Sequence, residues 1–372
     1  MKIAILTQPL HNNYGGLLQA FALQYYLKQY GHDVMTVDFS RESKPRFWGL
    51  KSILGNVIRK YILLRSINTI FPLTDKKRRE IGQHTNRFTA EYISTTQKIC
   101  LEYEFEYIKR YSFDAYIIGS DQVWRPSYSS GISAFFLSFL SKDEKVKRIA
   151  YAASFGVDHC NEFSAEQFSH YAQLLQQFDA VSVREDSAVK LCQQYFGIRA
   201  EHVIDPTLLL DQDVYYKLVE KDNTLPSDGS MMVYILDKSP DKQKIVDMVC
   251  NECDFKPYTV MPEEDGIYPP VTQWLRGFID AKYVVTDSFH GVVFSIIFNK
   301  PFIAIGNYDR GLARFSSILK KFSLEERLIL SSQEIDRNLI HQDIDFNAVN
   351  RIKAHQQNIV KLFFSRVLTD IN

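Results

Sequence analysis

Residues 2–39 read KIAILTQPLHNNYGGLLQAFALQYYLKQYGHDVMTVDF, and this stretch decides the fold. Lys2–Thr7 is a short run rich in Ile and Leu, followed by polar residues and the pair Gly15-Gly16. Leu17 to Tyr30 carries a helical pattern that Gly31 stops, and Val34–Phe39 is β-rich again. Strand, turn, helix, strand is a β-α-β unit, the start of a parallel, doubly wound α/β sheet. Further strands are predicted at Ala115–Gly119, Arg148–Ala152, Ala180–Arg184, His202–Ile204, Met231–Leu236, Tyr258–Val260, Tyr283–Thr286 and Phe302–Ile305, with helical stretches between most of them. The rhythm restarts after the amphipathic helix Ala165–Phe178. Two similar domains follow, over residues 1–175 and 176–345, with a C-terminal helix in 346–372 that packs back across them.

The chain is 372 residues long, 45% hydrophobic and 24% charged, a balance that excludes disorder and collagen-like repeats. Lys plus Arg number 44 and Asp plus Glu number 44, so net charge gives no pull toward nucleic acid. No apolar stretch approaches the ~20 residues needed to cross a bilayer, and the N-terminal run is too short for a signal-peptide core. Five Cys, three of them isolated at 100, 160 and 192, fit reduced thiols and a cytoplasmic protein. Cys250 and Cys253 have metal-like spacing but no second pair, so no metal site is expected. Residues 41–112 interrupt the first domain as a helical insertion. Between 41 and 80 it holds 11 Lys or Arg against 3 Asp or Glu, with Trp48, Ile53, Leu54, Ile58 and Leu63 interleaved. Such a face is either simply solvated or a weak peripheral contact for an anionic membrane.

Three stretches carry chemistry. The loop Pro9–Gly16 leaves the first strand and opens a helix; its paired glycines allow close backbone approach, although a plain tight turn reads the same way. Its spacing matches neither a dinucleotide fingerprint nor a P-loop, so neither cofactor is implied. Gly119-Ser120-Asp121-Gln122-Val123-Trp124 runs from a strand into a polar cluster where open α/β sheets bind ligands, and an Asp beside an aromatic suits a sugar; a helix cap with a core Trp is the bland reading. Thr286-Asp287-Ser288-Phe289-His290-Gly291 sets His290 at a strand-to-helix junction. With Arg184 and Arg310 at the same sheet edge it describes an anion site.

At these residues the chain resembles the polysaccharide pyruvyl transferase family. The matching motifs run in order: Asn12-Asn13-Tyr14-Gly15-Gly16 with Leu18-Gln19-Ala20, Gly119 to Trp124, Ser154-Phe155-Gly156, Ser182-Val183-Arg184-Glu185, Asp205-Pro206-Thr207, Asp287 to Gly291, Lys300-Pro301 and Arg310-Gly311. The resemblance implies two Rossmann-like domains in a GT-B-like arrangement with the site in a central cleft. It also implies the reaction: phosphoenolpyruvate gives its three-carbon skeleton to two hydroxyls of one glycan sugar, forming a ketal, without a further cofactor. Capsule or exopolysaccharide synthesis in a bacterium, with a glycan or lipid-linked oligosaccharide acceptor at the inner membrane face, is the implied setting.

That chemistry needs a proton on the methylene carbon and cations for a trianionic donor. By the resemblance, His290 is the acid, Arg184 and Arg310 hold the donor, and Ser288, Gly291 and Arg314 adjoin it. Many members carry Arg where this chain has Ser288, so that contact is lost, is taken by Arg310 or Arg314, or is meant for another substrate. Asp121 is the expected base, and Asp287 the expected cap or orienting group of the His290 turn. Asn12, Asn13, Tyr14, Gly15, Gly16, Gln122 and Trp124 are the expected acceptor side. The alternatives are a GT-B glycosyltransferase using a nucleotide sugar, for whose expected acidic ribose contact Glu185 or Asp309 could be mistaken, and a non-catalytic sugar-binding protein indifferent to change at His290.

Overall fold

The structure, a computed structural model, describes residues 1–39, 74–307 and 311–368. The first sheet comprises β1 (Lys2–Leu6), β2 (Asp33–Thr36), β3 (Ala115–Ile118), β4 (Lys147–Ala153), β5 (Ala180–Val183) and β6 (Glu201–His202), in the order β2-β1-β3-β4-β5-β6. The second comprises β7 (Met231–Tyr234), β8 (Pro257–Tyr258), β9 (Tyr283–Thr286), β10 (Phe302–Ile305) and β11 (Leu328–Ile329), in the order β11-β10-β9-β7-β8. Every pairing is parallel. Around them pack α1 (Tyr14–Gln29), α2 (Asp75–Ile81), α3 (Gln83–Tyr92), α4 (Ala165–Leu175), α5 (Asp186–Phe196), α6 (Gln212–Lys221), α7 (Pro240–Cys253), α8 (Val271–Asp280), α9 (Phe289–Ile297), α10 (Leu312–Phe322), α11 (Arg337–His341) and α12 (Phe346–Val367).

Alternation along the strands explains the layering. Ile3, Ile5, Ile117 and Tyr151 join Met232, Val284, Phe302 and Ala304 in one apolar core that runs through both sheets. Ala4, Leu6, Tyr116 and Ile118 face a second cluster, while Met231, Val285, Ile303 and Ile305 face a third. With both faces covered, parallel strands must be nearly continuously apolar, as β3, β9 and β10 are. In each sheet the strand order reverses beside the first strand, between β1 and β3 and between β7 and β9. Loops there diverge and leave a crevice at the carboxyl ends.

The division between the sheets falls later than the expected residue 175. β5 and β6 pair with β4 in the first sheet, so that sheet extends through His202. The amphipathic helix 165–178 is α4, a crossover within the first domain rather than a link between domains, and amphipathicity alone does not distinguish the two. The C-terminal helix spans both domains as expected: Phe364 meets Tyr26 and Tyr151, and Asn350 bonds Asn299. Of the insertion, α2, α3 and a 3-10 helix at Glu102–Tyr111 are described; residues 41–73 lie outside the described residues. Among the described residues no helix is long and apolar enough to cross a membrane.

Candidate active site

The two strand reversals face each other across a cavity of about 420 Å³. Gln8, His11, Asn12, Asn13, Gly15, Asp121, Gln122 and Tyr128 line it from the first domain; Tyr234, Leu236, Met261, Tyr268, Asp287, Ser288, Phe289, His290 and Arg314 line it from the second. Its volume is that of a small-ligand site.

His290 is the second residue of α9, whose N-cap, Ser288, makes no side-chain capping bond. The first turn of α9 therefore presents backbone N–H groups without a side-chain acceptor, an arrangement that favours an anion. His290 is 7% exposed and sits between the two domains. On one side a Cβ built at Gly15 would lie 2.0 Å from its Nδ1, so only glycine fits against the ring. On the other side Nε2 lies 3.7 Å from Oδ2 of Asp205 and has no hydrogen-bond partner among the described residues.

Asp205 is fully buried at the N-cap of the 3-10 helix Pro206–Leu209. Ser120 Oγ and Arg184 Nη1 each donate to its Oδ2 at 2.9 Å, and Thr207 donates to Oδ1 from its backbone N–H at 3.0 Å and from Oγ1 at 2.7 Å. Burial alone would raise this carboxyl, but His290, Arg184 and the Thr207 N–H outweigh it and hold it well below the usual carboxylate range. Asp205 belongs to a motif visible in the sequence, yet no candidate role was attached to it. An Asp that ends a strand segment before Pro-Thr signals only a cap, and its approach to His290, 85 positions later, is invisible in one dimension.

Arg184 is not presented to the cavity. Its side chain is 1% exposed, bonded to Asp205 and Ser120, paired with Glu185 at 3.4 Å, and stacked on Phe289 at 4.3 Å. It neutralises the buried carboxylates beside it, while its Nη2 is buried without a hydrogen-bond partner among the described residues. Glu185 is equally buried; burial pushes its carboxyl up, and it accepts from Ser154 Oγ at 2.6 Å, so it is not placed to touch a ribose. Arg314, on the first turn of α10, does line the cavity. Burial and the neighbouring Arg184 pull its guanidinium down to about 10, which leaves it charged at neutral pH. The close approach of α10 requires Gly311: its φ is +96°, and a Cβ there would fall 1.8 Å from the Gly156 carbonyl oxygen. Arg310 and Asp309 lie outside the described residues.

Asp121 lines the cavity as expected, with φ +82°, unusual for a residue with a side chain. Its Oδ1 accepts from the backbone N–H of Gln122 at 2.8 Å. Asn12 and Asn13 also line the cavity; Asn12 accepts from Thr85 Oγ1 at 2.6 Å and Asn13 caps α1 through the Gly16 N–H. Tyr14 instead turns away, stacking on Trp274 and donating to the Pro269 carbonyl at 2.9 Å. Gly16 is occupied by that cap, and Trp124 is a core residue, stacked on Phe136 with its Nε1 donating to the Phe135 carbonyl. The aromatic beside Asp121 that could cover a sugar is therefore not Trp124. Tyr128 and Tyr268 line the cavity in its place. Gly291 packs on Thr286, whose Oγ1 a Cβ would meet at 2.1 Å. Asp287 does not cap the His290 turn: it accepts from the Leu236 and Asp237 N–H groups and from Lys242 Nζ, tying the loop after β7 to the end of β9.

Gln8, His11, Tyr128, Met261 and Tyr268 line the cavity without having been singled out in the sequence. Gln8 and His11 follow β1 and could have been inferred from the strand-end rule; Met261 and Tyr268 sit in an irregular stretch with no motif. Among the described residues no group of three His, Cys, Asp or Glu side chains is placed to hold a metal ion.

The whole chain resembles solved two-domain structures. The UDP-GlcNAc 2-epimerase of Neisseria meningitidis bound to UDP-GlcNAc superposes with a TM-score of 0.51 at 8% identity, covering 98% of this chain and 100% of that one. The UDP-GlcNAc 2-epimerase of Methanocaldococcus jannaschii gives 0.51 at 10% identity, covering 98% and 100%. The UDP-N-acetylglucosamine 2-epimerase of Rickettsia bellii gives 0.50 at 11%, covering 99% and 97%. At such identities the likeness is one of fold, the pair of Rossmann-like domains expected from the sequence. No curated protein sequence matches the chain. A family model described as polysaccharide pyruvyl transferase matches residues 13–310.

Proposed function

The chain belongs to the polysaccharide pyruvyl transferase family, and from that premise we propose that it moves the three-carbon skeleton of phosphoenolpyruvate onto two hydroxyls of one sugar in a polysaccharide or its precursor. The observation that carries this reading is the joint placement of His290, Arg314 and the uncapped first turn of α9 on one cavity wall. Together they offer an acid, a permanent cation and backbone donors to an anion of about three charges.

Arg314 takes the donor contact that Arg supplies at the position of Ser288 in other members, and Ser288 adds a hydroxyl beside it. His290 delivers a proton to the methylene carbon of the donor. The π pair forms the new C–H bond, and the central carbon becomes an oxocarbenium centre. One sugar hydroxyl adds to that carbon and loses its proton; phosphate then leaves with the pair of its C–O bond, and the second hydroxyl closes the ketal. Two hydroxyl protons are released in all. One replaces the proton given to the methyl group, and the other leaves with phosphate. Asp121, across the cavity in the first domain, is the base that collects them. Asn12, Asn13, Gln122 and Tyr128 form the sugar side.

Calorimetric titration of the protein with phosphoenolpyruvate and, separately, with UDP-sugars tests the reading. Saturable phosphoenolpyruvate binding that Arg314→Ala weakens supports it. Binding of a UDP-sugar with none of phosphoenolpyruvate would replace it with the nucleotide-sugar alternative.

A further inference from the structure

The geometry points to a buried Asp205–His290 dyad in which the carboxylate holds a proton on Nε2, so that Nδ1, on the side of the ring packed against Gly15, is the nitrogen that transfers a proton. The destination of that proton rests on the pyruvyl-transfer reading; the dyad itself does not.

Asp205 receives only donors: Ser120, Arg184 and both the N–H and hydroxyl of Thr207. Its Oδ2 is the atom 3.7 Å from Nε2 of His290, which is buried and has no hydrogen-bond partner among the described residues. At 3.7 Å the pair is beyond hydrogen-bond range, and catalytic bonds are commonly long before substrate binds. Facing a carboxylate, Nε2 is stable only as N–H. The neutral ring then keeps its lone pair on Nδ1, and the protonated ring carries N–H on both nitrogens. Transfer from Nδ1 breaks the Nδ1–H bond, leaves the electron pair on Nδ1 and returns the ring to the tautomer Asp205 already holds. Asp205 touches no substrate and is a positioning residue.

Gly15 completes the device from the other domain. It lines the cavity with His290, and a Cβ there would fall within the volume the imidazole fills, 2.0 Å from Nδ1. A glycine on α1 thus lets the ring on α9 keep its place facing Asp205.

The test reads the tautomer without substrate, by two-bond proton–nitrogen spectra of protein labelled with ¹⁵N-histidine, with the His290 signals assigned from His290→Gln. The neutral wild-type ring is expected with its proton on Nε2. In Asp205→Asn the fixed backbone N–H of Thr207 keeps the amide oxygen, which turns the NH₂ group toward Nε2; the proton should move to Nδ1 and turnover should fall about 100-fold or more with a changed pH profile. Gly15→Ala, whose Cβ would fall 2.0 Å from Nδ1, must push the ring from its place, and turnover should fall at least about tenfold. The wild-type tautomer decides the matter if Asp205→Asn does not fold. A wild-type ring protonated on Nδ1, a folded Asp205→Asn with unchanged tautomer and pH profile, or full turnover in Gly15→Ala would each overturn the proposal. Because the tautomer is read without phosphoenolpyruvate, failure of that donor to bind would remove the functional reading and leave the dyad standing.

Discussion

Tyr14 of the first domain stacks on Trp274 of the second, ring centroids 5.6 Å apart and 21° between planes. The residue that follows Tyr14 is Gly15, whose missing side chain makes room for His290. Packing of an aromatic pair across the domains therefore sets how close the α1 loop comes to the candidate acid.

Truncating that pair should loosen the fold. Tyr14→Phe keeps the stack and deprives only the Pro269 carbonyl of its donor, a loss of about 1–2 kcal/mol. Tyr14→Ala removes a buried ring and should cost about 3–5 kcal/mol. Urea midpoints compare the two, and equal losses would mean that the stack contributes nothing.

Arg314 and Arg184, both buried beside the site, should separate by phenotype. Arg314→Ala should weaken phosphoenolpyruvate binding by about 1.5–3 kcal/mol, the range for a charge-assisted contact, and leave the fold intact. Arg184→Ala strips Asp205 and Glu185 of their shared counter-charge and should destabilise the protein by about 3–5 kcal/mol. Thermal denaturation and calorimetry on both variants check the assignment. Arg184→Ala with normal stability and lost donor affinity would reverse it.

Stability should depend on pH through His202. Its Nε2 lies 3.1 Å from the Arg184 carbonyl, to which only an N–H can donate, and burial together with Lys321 pushes the ring down to about 4. Between pH 6.5 and 4 the unfolded chain takes up a proton that the folded ring refuses. Stability is therefore full above 6.5 and is lost as pH falls toward 4, by up to about 3 kcal/mol. His202→Gln, which retains a donor for the carbonyl, should flatten that slope in denaturant titrations between pH 7 and 4.5. An unchanged slope would assign it to other groups.

Asp121 should be dispensable for folding and needed for turnover. At φ +82° it occupies backbone space that glycine enters without strain. Asp121→Gly should change stability by less than about 1 kcal/mol, the strain relieved offsetting the added chain entropy. Turnover should fall about 100-fold with the loss of a base. A variant of normal activity would return the base role to another group.

The fold was legible because parallel strands covered on both faces leave short apolar runs, and those at 283–286 and 302–305 emerge at their predicted bounds. β11 was not legible: two residues, Leu328 and Ile329, carry no periodicity. His290, Arg314, Asp121, Asn12, Asn13, Gly15, Gln122 and Ser288 all line the cavity, and all but Arg314 follow strands that flank a sheet's reversal, where the strand-end rule places a ligand. Arg184 and Trp124 are not among the residues that line the cavity, for one reason. A strand end locates a residue along the sheet axis but does not say whether its side chain turns to the cleft or into the layer beneath, and both turn inward. Asp205 became visible only when the chain was folded, since its partners come from β3, β5 and α9 and their flanks.

The central claim is that His290 protonates the methylene carbon of phosphoenolpyruvate in this cavity. It is tested most directly by running the reaction in heavy water with a panel of methyl hexosides bearing free 3,4- and 4,6-diols, and reading the ketal methyl group by proton NMR. The account predicts one deuterium in the wild-type methyl group and formation of that product slowed about 100-fold or more in His290→Gln, with donor affinity changed far less. A ketal without deuterium, or deuterium incorporated at an undiminished rate by the Gln variant, would contradict it.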